Sequence, residues 1–139
     1  MSQENVEIVR RAIDGFVAAG YDMSKVEDFF EFADRGIEFD VSRTGNPDTE
    51  LYRGRDGMVA AIEQWVDTWD AYELKTLELT DVPPDRVVSV IHERCRVKGS
   101  DGWVEHTRGA VWTIKDQRIV RYEEHQDRAR AFEAVGLPE

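Results

Sequence analysis

Cysteine is nearly absent: Cys95 stands alone in 139 residues, which excludes an internal disulfide. No apolar run is long enough to cross a bilayer, and MSQENVEIVRRAI lacks the basic-then-apolar pattern of a signal peptide. Together these absences point to the cytoplasm. Basic residues are in deficit, 18 Lys and Arg against 29 Asp and Glu, for a formal net charge of −11. That field repels phosphate backbones and anionic bilayers, so nucleic acid and membrane are set aside as partners. Histidine is sparse too. His92, His106 and His125 share no HExxH or His-x-His spacing, so no metal is expected. Cys95 has no base at a readable spacing, and RGRDG lacks the GK[ST] ending of a phosphate loop, so neither a thiol nucleophile nor a cofactor is expected.

What remains suits one globular domain, residues 1–139, with 41% hydrophobic residues for a single core. Val6, Val9, Ile13, Phe16 and Val17 recur at helical spacing over Asn5–Ala19, and Gly20 ends the run. A second helix is predicted over SKVEDFFEFADRG, where Ser24 and Glu27 form a capping-box pattern and Gly36 closes it. At Ile37, Phe39 and Val41 the period changes to two, the mark of a strand. TGNPDTEL reads as a loop, and YRGRDG leads into a third helix with Met58, Ile62, Trp65, Val66 and Trp69 on one side.

From Tyr72 the chain reads as strands: Tyr72–Thr80, Arg86–Lys98, Trp103–Lys115 and Arg118–Gln126, with Asp127 capping a short final helix. Two helices, a strand, a third helix and a four-strand meander imply an α+β domain with helices gathered on one sheet face. Twisted strongly, such a sheet makes a cone with a ligand pocket at its open end.

That order resembles the NTF2-like superfamily, as do YRGRDGMVAAIEQW after the first strand and VWTIKDQRIVRYEEHQDRARAFEAVGL at the end. Within it the chain is most similar to the small SnoaL-like proteins of bacteria, relatives of ketosteroid isomerase and the polyketide cyclases. The resemblance covers nearly the whole chain and is specific for fold. It implies a cone of three N-terminal helices on a strongly curved, mainly antiparallel sheet. It also implies a homodimer across the outer sheet face, and a pocket for a small apolar molecule with cofactor-free acid–base catalysis of the isomerase, dehydratase or cyclase kind. The alternative is a binding or dimerisation module without catalysis. Asp40 matches the position of the general base in ketosteroid isomerase. Ile13, Ile62 and Ala110 match positions where the relatives carry working polar groups, which argues against their reaction in its usual form.

The residues themselves leave choices open. Strict alternation places Asp40 opposite Phe39 and Val41, on the solvent side, whereas a bulge after Phe39 would turn it into the pocket. With GSDG as a four-residue loop, Lys98 faces Trp103, Glu93 faces Arg108, Ile91 faces Ala110 and Ser89 faces Trp112. One sheet face then carries Val87, Ser89, Ile91, Glu93 and Cys95 with His106, Arg108, Ala110 and Trp112. Glu93 and Arg108 read as a cross-strand ion pair or as a grip on a polar group of the substrate, and His106 as an acid or base. A bulge after Asp116-Gln117 would place Tyr122 and Glu124 beside Trp112. Tyr52 and Trp65 complete the aromatic lining.

Overall fold

The computed structural model describes residues 2–26, 29–44 and 50–137. Helix α1 runs Ser2–Ala18 and buries Val6, Val9 and Ile13 of the predicted stripe, while Phe16 is partly buried and Val17 is exposed. The predicted second helix is broken up. Asp22, rather than Ser24, caps a 3-10 turn at Met23–Lys25 by accepting from the Ser24 backbone at 3.0 Å, and α2 is only Phe29–Phe32. Glu27 of the expected capping box lies outside the described residues.

Strand β1 begins at Ala33 rather than Ile37 and ends at Asp40, because Ala33 pairs in parallel with Ile119. Arg55 secures that start by donating to the Ala33 carbonyl from Nε at 3.0 Å and Nη2 at 2.7 Å. Strand β2, Leu51–Arg53, takes up part of the expected loop and pairs antiparallel with β1. Helix α3 is Gly54–Asp67, and the meander follows as β3 Trp69–Val82, β4 Arg86–Val97, β5 Trp103–Lys115 and β6 Arg118–His125. Helix α4, Arg128–Ala134, is capped by Asp127, which accepts from the Arg130 backbone at 2.9 Å.

The six strands form one mixed sheet in the order β2-β1-β6-β5-β4-β3, with β1 and β6 the parallel pair. Two local features set which side chains share a face. In the β4–β5 hairpin Arg96 faces Trp103 and Glu93 faces His106, two residues away from the register read from the sequence. Because side chains alternate with a period of two, this shift leaves both faces unchanged. At the β5–β6 turn Asp116 and Gln117 both have positive φ, 51° and 65°, the two-residue hairpin geometry. A bulge then leaves Val120 unpaired between Ile119, opposite Ile114, and Arg121, opposite Thr113. That extra residue brings Tyr122 opposite Trp112.

Helices α1 and α3 cover one face of the sheet over a core that includes the fully buried Val9, Ile37, Val87 and Ile119. Helix α4 covers part of the other face, setting Ala131 and Phe132 on Val88, Val90 and Val111. Among the described residues no helix is long and apolar enough to cross a membrane.

Candidate functional site

Between the helices and the sheet lies a cavity of about 680 Å³. Its helix side is mostly apolar, built by Ile13 and Phe16 of α1 and by Met58, Ile62 and Trp65 of α3, with Gln64 of α3 adding an amide. Strand residues supply more rings. Phe39 stacks on Tyr122 at 4.8 Å, Tyr122 meets Trp112 edge-on at 4.7 Å, and Tyr52 and Ile91 also reach the surface. Trp112 is itself oriented by donating from Nε1 to the Ser89 hydroxyl at 2.9 Å.

Against these walls stands one polar cluster spanning four neighbouring strands. Glu93 of β4 is 3% exposed and sits at its centre. It accepts from Arg108 Nε at 3.0 Å, meets His106 Nε2 at 2.7 Å, and accepts from the Tyr72 hydroxyl. Burial alone would raise the Glu93 pKa; hydrogen bonds from His106 and Tyr72 and the Arg108 charge outweigh it and hold the carboxyl below its usual range. Glu93 is therefore ionised at neutral pH and only accepts, so His106 presents an Nε2 hydrogen to it.

Glu124 of β6 is shifted the other way. It accepts from the Tyr122 hydroxyl at 2.7 Å, and Arg108 Nη1 stays 3.8 Å away. Burial and then the nearby Glu93 charge raise its pKa above the ordinary carboxyl value. Burial likewise lifts the Tyr72 and Tyr122 phenols, so both remain donors. The Arg108 guanidinium lies over the Trp65 ring at 5.5 Å, which ties α3 to the cluster. Two carboxyls facing the cavity, with pKa values pushed apart and an arginine between them, can hold and move a proton beside an apolar ligand.

Of the residues singled out from the sequence, the cavity surface gathers Ile13, Tyr52, Ile62, Trp65, Ile91, Glu93, His106, Arg108, Trp112, Tyr122 and Glu124. Ala110 shares their sheet face, in register with Ser89 and Glu124, but its methyl group stays in the core beneath the surface. Asp40 requires a correction. No bulge turns it inward: Phe39 and Val41 line the cavity, and Asp40 points to the other side of β1. There it accepts from Ser42 and lies 2.7 Å from Arg121 Nη2 and 3.4 Å from Arg43 Nε. Burial raises its pKa, but the Ser42 bonds and the two arginines more than reverse this, and the net shift is downward. Tyr72 was missed. It lies in β3, whose start at Trp69 precedes the expected start at Tyr72, and only the pairing of Tyr72 with Cys95 brings its hydroxyl to Glu93.

No family model matches the sequence, and a search of curated proteins finds no match. Solved structures do match. Bal32a, from a soil-derived mobile gene cassette, superposes with a TM-score of 0.73 at 18% identity over 89% of each chain. An NTF2-like protein of unknown function from Burkholderia pseudomallei matches with a TM-score of 0.72 at 19% identity, over 97% of this chain and 98% of that one. The chain has the NTF2-like fold. A further match, described as a SnoaL-like polyketide cyclase and from Jannaschia sp. CCS1, covers all of this chain and 96% of its own at 19% identity and a TM-score of 0.72. At these identities the likeness carries the fold, and the NTF2-like cavity of this chain must be read from its own side chains.

Proposed function

We propose that this chain binds a small, mostly apolar molecule in the conical space between helices and sheet, and acts on it by cofactor-free acid–base chemistry of the isomerase, dehydratase or cyclase kind. The observation that carries this reading is the segregation of the cavity: apolar and aromatic walls with one polar cluster, Glu93, His106, Arg108 and Glu124. We assign Glu124 as the group that exchanges a proton with the ligand, with Arg108 to hold a developing negative charge and His106 to support Glu93. Asp40, engaged by Arg121 on the far side of β1, is left out of the reaction. Turnover of an apolar substrate found by screening is expected to fall at least about 100-fold in Glu124→Gln and to persist in Asp40→Asn. A Glu124→Gln enzyme as fast as the parent overturns the assignment.

The apolar residues Ile13, Ile62 and Ala110, at positions where relatives carry polar groups, favour a second reading, a binding module without catalysis. Recovery of an unmodified small molecule from the purified protein, with no turnover in the same screen, favours it over the first.

We also infer a homodimer. Helix α4 already occupies the Val88, Val90 and Val111 part of the outer sheet face, so a second copy would sit on the remainder. There Trp103 is exposed and the Arg94 guanidinium lies 3.9 Å from its ring. Light scattering at micromolar concentration is expected to give twice the chain mass, and Trp103→Glu to give the monomer.

A further inference from the structure

The way Arg108 is engaged bears on which ligands the cavity accepts, an inference that rests on the binding role proposed above. An arginine in an apolar cavity would ordinarily suggest a carboxylate partner, since its planar fork matches one bidentately. Here the guanidinium's charge is already met by two carboxyl groups. Nε donates to Glu93 at 3.0 Å, and Nη1 lies 3.8 Å from Glu124 Oε2. Glu93 is buried and also engages Tyr72 and His106, so its negative charge is fixed and matched.

Glu124 is faced by Tyr122 on its own strand, Arg108 and His106 on β5, Glu93 on β4 and Tyr72 on β3. Among the described residues, α1 and α3 bring no charged side chain to the cavity. A ligand carboxylate at Arg108 would therefore be the third carboxyl group around one cation, with no second positive charge on the helix side to balance it. Burial of such a charge is unfavourable unless it is paired. A hydroxyl or carbonyl oxygen takes an Arg108 N–H without adding charge.

We propose that the Glu93–Arg108–Glu124 group makes the cavity selective for ligands whose polar end is a neutral oxygen, and that Glu124 is the residue that turns carboxylates away. The sequence pairs Arg108 with Glu93 but does not show that Glu124 comes within ion-pair reach of the same guanidinium.

Three probes of one shape test this: biphenyl, para-phenylbenzyl alcohol and para-phenylbenzoate. Binding is read by quenching of tryptophan fluorescence, because Trp65, Trp69 and Trp112 line the cavity. The parent protein is expected to hold the alcohol at least about tenfold tighter than the benzoate at neutral pH. Glu124→Gln, which removes the charge and keeps an oxygen for Tyr122 to donate to, is expected to shrink that ratio at least about fivefold. In the parent, benzoate affinity rises as the pH falls and Glu124 takes up a proton; over the same range it is flat in Glu124→Gln. A benzoate as tight as the alcohol in the parent overturns the proposal, as does a Gln variant with the parent's ratio and pH slope. Should the variant fail to fold, the parent's probe ratio and pH slope decide alone. If biphenyl binds and the selectivity is absent, only this inference falls; if none of the three binds, the binding role falls with it.

Discussion

The Asp40 carboxylate accepts from the Ser42 hydroxyl and backbone, and it faces two arginines, Arg121 and Arg43, at 2.7 and 3.4 Å. Its side chain is 6% exposed, so removing the charge leaves Arg121 without a partner it can replace only in part through Glu38 and Glu123. Asp40→Asn is expected to lower stability at neutral pH by about 1–3 kcal/mol, measured by urea unfolding. The sign of the pH dependence follows from the lowered pKa in the fold. The contribution is present above the unfolded value of about 3.9 and is lost as the pH falls through the folded value, so the variant loses less than the parent on acidification. A variant that unfolds along the parent's curve would show that Asp40 contributes nothing to the fold. At this scale the side given by plain alternation was one of the two the sequence allowed Asp40, and the structure takes it. The sequence held no trace of Arg121, which lies 81 residues away in the chain.

Among the elements, β5 and its turn do most to build the site, and both of its faces are constrained. On the outer face Gly109 makes room for α4. A Cβ there would lie 2.6 Å from the Ala131 Cβ and 2.8 Å from the Asp127 carbonyl, neither of which belongs to a flexible side-chain end. Gly109→Ala is therefore expected to destabilise by about 1–3 kcal/mol and to loosen α4, read as faster amide exchange at Ala131 and Phe132. Unchanged exchange there would mean the helix docks without that close approach. On the inner face, the bulge at Val120 decides that Tyr122 and Glu124, rather than Arg121 and Glu123, look into the cavity. The Asp116-Gln117 pair was legible as a turn, but a bulge is a choice of the whole sheet. The buried Ile119 pairs with both Ile114 and Ala33, and on both sides the register shifts directly after it.

For the molecule as a whole, the cavity is a place where packing has been left incomplete. Voids of this kind forgo contacts that a filled core would make. Ile62, half-buried on α3 and facing that space, is the position from which to fill it. Ile62→Trp is expected to leave the melting temperature equal or higher while reducing the affinity for biphenyl at least about tenfold. A variant that melts lower and binds as before would show that the space is not where the probe sits.

The sequence by itself determined the helix–strand periods, the order of the meander strands, their turn positions and the facing of β4 and β5. Each of these depends on neighbours a few residues apart, and parity survived even a two-residue error in the β4–β5 register. Only the tertiary structure decided the shortened second helix, the early start of β1 against β6, the turning away of Asp40 and the contrast between Glu93 and Glu124. Those depend on side chains from four or five strands meeting in a dry interior. There, the sum of desolvation and opposing charges sets whether a carboxyl group serves as a structural anion or a movable proton.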